Sequence, residues 1–74
     1  MREWLKAMRN ERNISQKKMS ELLKVAQPYY CEIEKGSKQP DMAYSMMEKL
    51  AAAFNVSVQT VIDAETAYVA GRRD

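Results

Sequence analysis

No histidine occurs in these 74 residues. The commonest general base and the commonest metal ligand are therefore missing. A single cysteine, Cys31, excludes an internal disulfide and a cysteine-based zinc site, and fits a reducing compartment. The two glycines, Gly36 and Gly71, are too few and too scattered for a phosphate-cradling loop. Hydrolytic, metal-assisted and nucleotide-dependent chemistry each lose their usual parts, so we expect no enzyme, no cofactor and no metal. No apolar run approaches the ~18–20 residues that span a bilayer. The start, Met1-Arg2-Glu3-Trp4, lacks the apolar stretch of a signal peptide. The expectation is a soluble, cytoplasmic protein with no membrane partner.

A chain this short makes one domain, expected over residues 1–70, with 71–74 a frayed tail. The net charge of +2 is unevenly spread. Residues 1–38 hold nine Lys/Arg and five Asp/Glu, a net of +4, and residues 39–74 hold three and five, a net of −2. Phosphate contact needs such a basic half, although ordinary solvated helix faces give the same bias.

Helical periodicity runs through the chain, and no strand-like alternation competes with it. Trp4, Leu5 and Met8 share one face of a first helix, with Arg2, Lys6 and Arg12 largely off it. Asn10 and Asn13 favour a turn. Ser15 reads as the N-cap of a helix over Gln16–Leu23, with Met19, Leu22 and Leu23 as its apolar face. After Lys24-Val25-Ala26, a third helix begins at Gln27-Pro28, where a proline is tolerated in the first turn. Gly36 is placed to end it in the left-handed region. Asp41 is the expected N-cap of a fourth helix over Met42–Phe54, with Tyr44, Met47, Leu50, Ala51 and Phe54 as its stripe and Asn55 closing it. Ser57 opens a fifth, with Val58, Val61 and Ile62 facing inward, that extends towards Gly71. The expected core is Leu5, Met8, Ile14, Met19, Leu23, Val25, Tyr30, Ile33, Met47, Leu50, Ala51, Phe54, Val56, Val61 and Ile62; Trp4, Leu22 and Met46 are expected to be partly exposed. The fold class that follows is all-α, with five helices.

The informative unit is the pair of short helices over 16–23 and 27–35, joined by three residues. So tight a join makes a helix-turn-helix. Such pairs occur in DNA-binding proteins, where the second helix enters the major groove, and also in proteins that never touch DNA.

Several short motifs arrive in order: Leu5 to Arg9, Ser15-Gln16, Ile33-Glu34-Lys35-Gly36, Pro40, and Leu50-Ala51-Ala52-Ala53-Phe54-Asn55-Val56-Ser57. Over residues 4–62 this resembles the lambda-repressor-like helix-turn-helix family, also called the Cro-type or xenobiotic-response-element family. The resemblance implies a compact five-helix domain that binds double-stranded DNA and regulates transcription, most often as a repressor. It implies a structural ion pair between Arg9 and Glu34, a phosphate grip by Gln16, and base contacts from Gln27, Pro28, Tyr29 and Glu32. Gln27 suits adenine, because its amide pairs bidentately with N6 and N7. Tyr29 suits a thymine methyl or a phosphate. Glu32 suits cytosine N4, or else stands in solvent and opposes non-specific binding. Lys17, Lys35 and Lys38 flank this surface as phosphate contacts or as plain solvated lysines. In relatives the dimer contact lies near the fourth-to-fifth helix turn, which points to Val56, Val58 and Val61 for a homodimer on a pseudo-palindromic operator. Short chains of this kind are frequent in bacteria and their phages. The alternative is an antitoxin or protein-interaction module of the same fold, with a toxin as partner.

Three departures from the family pattern cluster in the reading unit. Lys24 stands where glycine is usual and positive φ is common. Ala26 stands where Ser or Thr usually caps the third helix, a difference of ~1 kcal/mol. Pro28 removes a backbone donor. The interval from Pro40 to Phe54 is also about two residues longer than common, so either the fourth helix starts early or a longer loop precedes it.

Overall fold

The computed structural model describes residues 1–72. Five helices follow in order, α1 (Glu3–Glu11), α2 (Gln16–Leu23), α3 (Gln27–Lys35), α4 (Tyr44–Phe54) and α5 (Val58–Gly71), with no strand among the described residues. Their bounds follow local chemistry. Ser15 accepts from the Lys18 N–H at 3.0 Å, and Ser57 accepts from Thr60 N–H at 3.3 Å, so two helices begin where a hydroxyl satisfies an orphan donor. α2, α3 and α4 each end on a left-handed residue: Lys24 (φ 59°), Gly36 (φ 89°) and Asn55 (φ 57°).

The start of α4 differs from expectation. Asp41 does not cap it, and Met42 and Ala43 lie outside the helix, with Ala43 as an N-cap that offers no side-chain bond. Gln39, itself left-handed at φ 55°, accepts from the Ala43 N–H through Oε1 at 3.1 Å. Met42 meanwhile turns into the core. The longer-loop alternative is therefore the observed one. It also sets the phase of the helix. Met46, Leu50 and Phe54 share the buried face, and Tyr44, roughly a third of a turn from its centre, is 55% exposed. Tyr44 thus leaves the expected stripe and Met46 joins it.

The core is a single cluster of Leu5, Met19, Leu23, Tyr30, Ile33, Met42, Met46, Leu50, Ala51, Phe54 and Val61. Met8, Ile14, Val25, Met47 and Val56 pack on it half-buried, whereas Ile62, expected inside, stays at its margin. α2 packs against both α3 and α4, and α5 lies along α4. Eight-residue α2 is held by this burial, since a helix so short is marginal alone. α5 runs to Gly71; of the expected frayed tail, Arg73 and Asp74 lie outside the described residues, whereas Arg72 donates to the Pro40 carbonyl at 3.0 Å.

Candidate nucleic-acid interface

The α2–turn–α3 unit turns in three residues. Lys24 takes the left-handed conformation, its N–H reaches the Glu21 carbonyl at 3.2 Å, and the Val25 N–H reaches Ser20 at 2.9 Å. Val25 is half-buried and pins the turn to the core. Ala26 then starts α3 with φ −67° and ψ 145° but no side-chain cap. Gln27 and Pro28, the first two residues of α3, are exposed at its outward end.

Other residues of the expected interface carry internal bonds. The Tyr29 ring is half-buried and its hydroxyl accepts from Gln39 Nε2 at 2.9 Å, which ties the face of α3 to the loop after it. The Glu32 carboxylate accepts from the Ser37 hydroxyl and lies 3.8 Å from Lys35 Nζ. The Ser37 hydrogen bond, then the charges of Lys35 and Lys38, hold that exposed carboxyl below its ordinary range. Gln16 is directed inward: Nε2 donates to Glu34 Oε1 at 3.1 Å, and Cys31 Sγ donates to its Oε1 at 3.4 Å. Lys17 on α2, Lys35 at the end of α3 and Lys38 in the loop that follows are exposed.

Beneath this surface lies the ion pair named from the resemblance. Arg9 Nε donates to Glu34 Oε2 at 2.6 Å, and Arg9 Nη1 donates to the Ile14 carbonyl at 2.9 Å. The Glu34 hydrogen bond raises Arg9 further above its ordinary value. Burial alone pushes the Glu34 carboxyl up, but the hydrogen bonds of Arg9 and Gln16 and the nearby Tyr30 hydroxyl outweigh it, so Glu34 is held below the usual carboxylate range. The fully buried Tyr30 hydroxyl approaches the pair outside hydrogen-bond geometry. Burial, then the Glu34 carboxylate, drive its ionisation well above that of free tyrosine.

One expected dimer residue is corrected. Val61 is 0% exposed and belongs to the core of its own chain, so it is not available to a partner. Val56 and Val58 are half-buried and keep part of their surface.

A second buried ion pair was not anticipated. Arg2, expected off the apolar face, is 0% exposed and binds Glu65 with two bonds, Nε to Oε1 and Nη2 to Oε2, each 2.9 Å. The signal was present. Arg2 stands three before Leu5 and seven before Arg9, on their face of α1, and Glu65 stands four after Val61 on the inward stripe of α5. An acid on an apolar stripe calls for a buried cation.

No group of three or more potential metal ligands forms among the described residues, and no helix is long and apolar enough to cross a membrane. Neither a curated protein nor a solved structure matches the chain significantly. A family model described as a helix-turn-helix domain matches residues 3–66, from the first turn of α1 through the middle of α5. That span covers most of the chain, and the chain belongs to this helix-turn-helix domain family.

Proposed function

We propose that the protein is a sequence-specific, double-stranded DNA-binding regulator of transcription, of the lambda-repressor-like type, acting as a repressor by occupying its operator. The observation that carries this reading is the exposed N-terminal end of α3, Gln27 and Pro28, presented by the three-residue turn, with Lys17 exposed on α2 and Lys35 and Lys38 exposed at the end of α3 and in the loop after it. In such units the N-terminal residues of the second helix meet base edges in the major groove while the first helix crosses the backbone. Gln27 reads a base, Pro28 packs on the groove wall, and the lysines neutralise phosphates. Each phosphate neutralised adds about 0.9 to the slope of log affinity against log salt. Gln16 grips a phosphate only by giving up its bonds to Glu34 and Cys31. Tyr29 reaches DNA while held by Gln39. Glu32, held by Ser37 and Lys35, acts chiefly against non-specific contact.

One module covers few bases, so two copies bind a pseudo-palindrome, each half-site read by one α3. Val56 and Val58, at the turn between α4 and α5, remain the residues for the dimer contact. The protein works in the cytoplasm. A second reading, an antitoxin or other protein-binding member of this fold, draws support from the ionised Glu32 and the inward Gln16 on the same face. It requires a toxin or other protein that co-purifies with the chain.

Selection from random duplexes by the purified protein, followed by titration of the winner at two salt concentrations, tests the proposal. A palindrome bound far more tightly than random sequence, with steep salt dependence, is the expected result. Absence of enrichment, with only weak salt-sensitive binding, overturns it in favour of the protein-binding reading.

A further inference from the structure

Arg2 does more than pair with Glu65. Its Nη1 donates to the Ile33 carbonyl at 2.7 Å and to the Lys38 carbonyl at 3.0 Å, and its Nη2 also donates to the Gln39 carbonyl. One guanidinium therefore gathers a last-turn carbonyl of α3 and two carbonyls of the loop that follows. Orphan carbonyls at a helix C-terminus favour a cation, and the planar fork of arginine matches a bidentate carboxylate on its other edge. Glu65 fixes the fork from α5, helped by the Trp4 indole N–H, which donates to Oε1 at 3.2 Å.

The end of α5 reinforces the same loop. The Tyr68 hydroxyl lies against Gly36, and the Arg2 guanidinium stacks 5.2 Å from the Tyr68 ring centroid. Arg72 stacks on the same ring at 5.0 Å and donates to the Pro40 carbonyl at 3.0 Å. The held loop carries Lys38 at the rim of the α3 surface and Gln39, whose amide holds the Tyr29 hydroxyl on that surface.

We infer that the Arg2–Glu65 pair, with Arg72, is a positioning clamp that sets the loop over residues 37–40 for contact with DNA. This rests on the DNA-binding reading above. The clamp touches no DNA itself; it fixes the carbonyls of Lys38 and Gln39, and so the direction of the Lys38 side chain and the anchor of Tyr29. The far end of α5, beyond the 3–66 match, thereby bears on the α3 surface through residues of this chain.

The test uses the whole chain and the duplex recovered by selection. Glu65→Gln keeps the shape of the side chain but removes the charge that holds the fork. Arg72→Ala removes the exposed outer strut and leaves the core intact. Circular dichroism at the assay temperature establishes that each variant is folded. The expected result is a loss of affinity of about 3–10-fold for each, with a salt slope lowered by about 0.9, the loss of one phosphate contact. In a Lys38→Ala background the same substitutions cost less affinity than in the wild type, since one of the contacts they position is already gone. Faster amide hydrogen exchange at residues 37–40 of Glu65→Gln, with α2 unchanged, is the accompanying expectation. Unchanged affinity in both folded variants, or full additivity with Lys38→Ala, overturns the clamp. Failure of the wild-type protein to bind any duplex overturns the DNA-binding reading instead. If Glu65→Gln does not fold, Arg72→Ala alone decides.

Discussion

Arg9 closes on Glu34 in the last turn of α3, the helix that presents Gln27 and Pro28, with Nε 2.6 Å from Oε2. The two side chains are 11% and 3% exposed, so neither charge has water to fall back on. Arg9→Ala is expected to cost about 3–5 kcal/mol, because it leaves a buried carboxylate unpaired. Arg9→Lys should fall between, since an ammonium cannot reproduce the fork. Urea unfolding checks this; a loss below about 1 kcal/mol in Arg9→Ala would contradict the buried-pair account.

Acid should weaken the fold through the same carboxyl. Glu34 has its folded pKa held below the unfolded value, so its contribution is present above the unfolded pKa. That contribution is lost as pH falls through the depressed folded value. Stability should therefore decline below about pH 5, and Glu34→Gln should flatten the decline while lowering stability at neutral pH. Tyr30 has the opposite sign of shift: its folded pKa is raised, so its contribution is intact below about pH 10 and fades above it. Melting temperature across pH, in wild type and Glu34→Gln, reads both limbs.

The two substitutions that relax the turn should stabilise. Lys24 holds φ 59° with an exposed side chain, so Lys24→Gly removes strain and loses no packing. A gain of about 0.5–1 kcal/mol is expected after the entropy cost of glycine. Ala26→Ser supplies the missing cap at compatible backbone angles and should add ~1 kcal/mol. Together they should raise Tm by several degrees. A fall in Tm for either shows that the turn is not relaxed by it.

Gly36 meets Tyr68 as well as a left-handed backbone. A Cβ there collides with the Tyr68 hydroxyl, and the next ring atom lies at an ordinary 3.6 Å. Gly36→Ala should cost at least about 1–2 kcal/mol from φ alone, plus the collision. Tyr68→Phe should recover the second part but not the first. Equal losses with and without the hydroxyl would mean that the ring simply moves aside.

Base reading and phosphate contact should separate on DNA. Gln27→Ala is expected to relax preference at one base position by about 1–3 kcal/mol, with little effect on random duplex. Lys38→Ala should weaken all sequences alike. Titrations against the selected duplex and a scrambled one distinguish them; equal effects of both variants on both duplexes would sink the assignment.

Much of this was legible because it is local. Ser15, Ser57, Gly36 and Asn55 mark helix ends through groups within four residues of them, and a sequence displays such neighbours directly. Arg9–Glu34 came from family resemblance, since nothing in periodicity joins positions 25 apart. Arg2–Glu65 spans 63 positions and went unread, although both residues sit on inward stripes. Asp41 has the chemistry of a cap, but the core claims Met42 first, so α4 starts later than its sequence suggests. Val61 was assigned both to the core and to the dimer contact, and one side chain cannot fill both places. Gln16 shows the limit at the site: its position on α2 is readable, but the inward turn of its amide depends on where α3 sets Glu34 and Cys31.

The indole of Trp4 donates to Glu65 at the junction of α1 and α5, and the chain has no other tryptophan. All indole emission therefore comes from one half-buried ring at that junction. The protein carries its own optical reporter there, without a label, so loosening at the helix junction is readable by light.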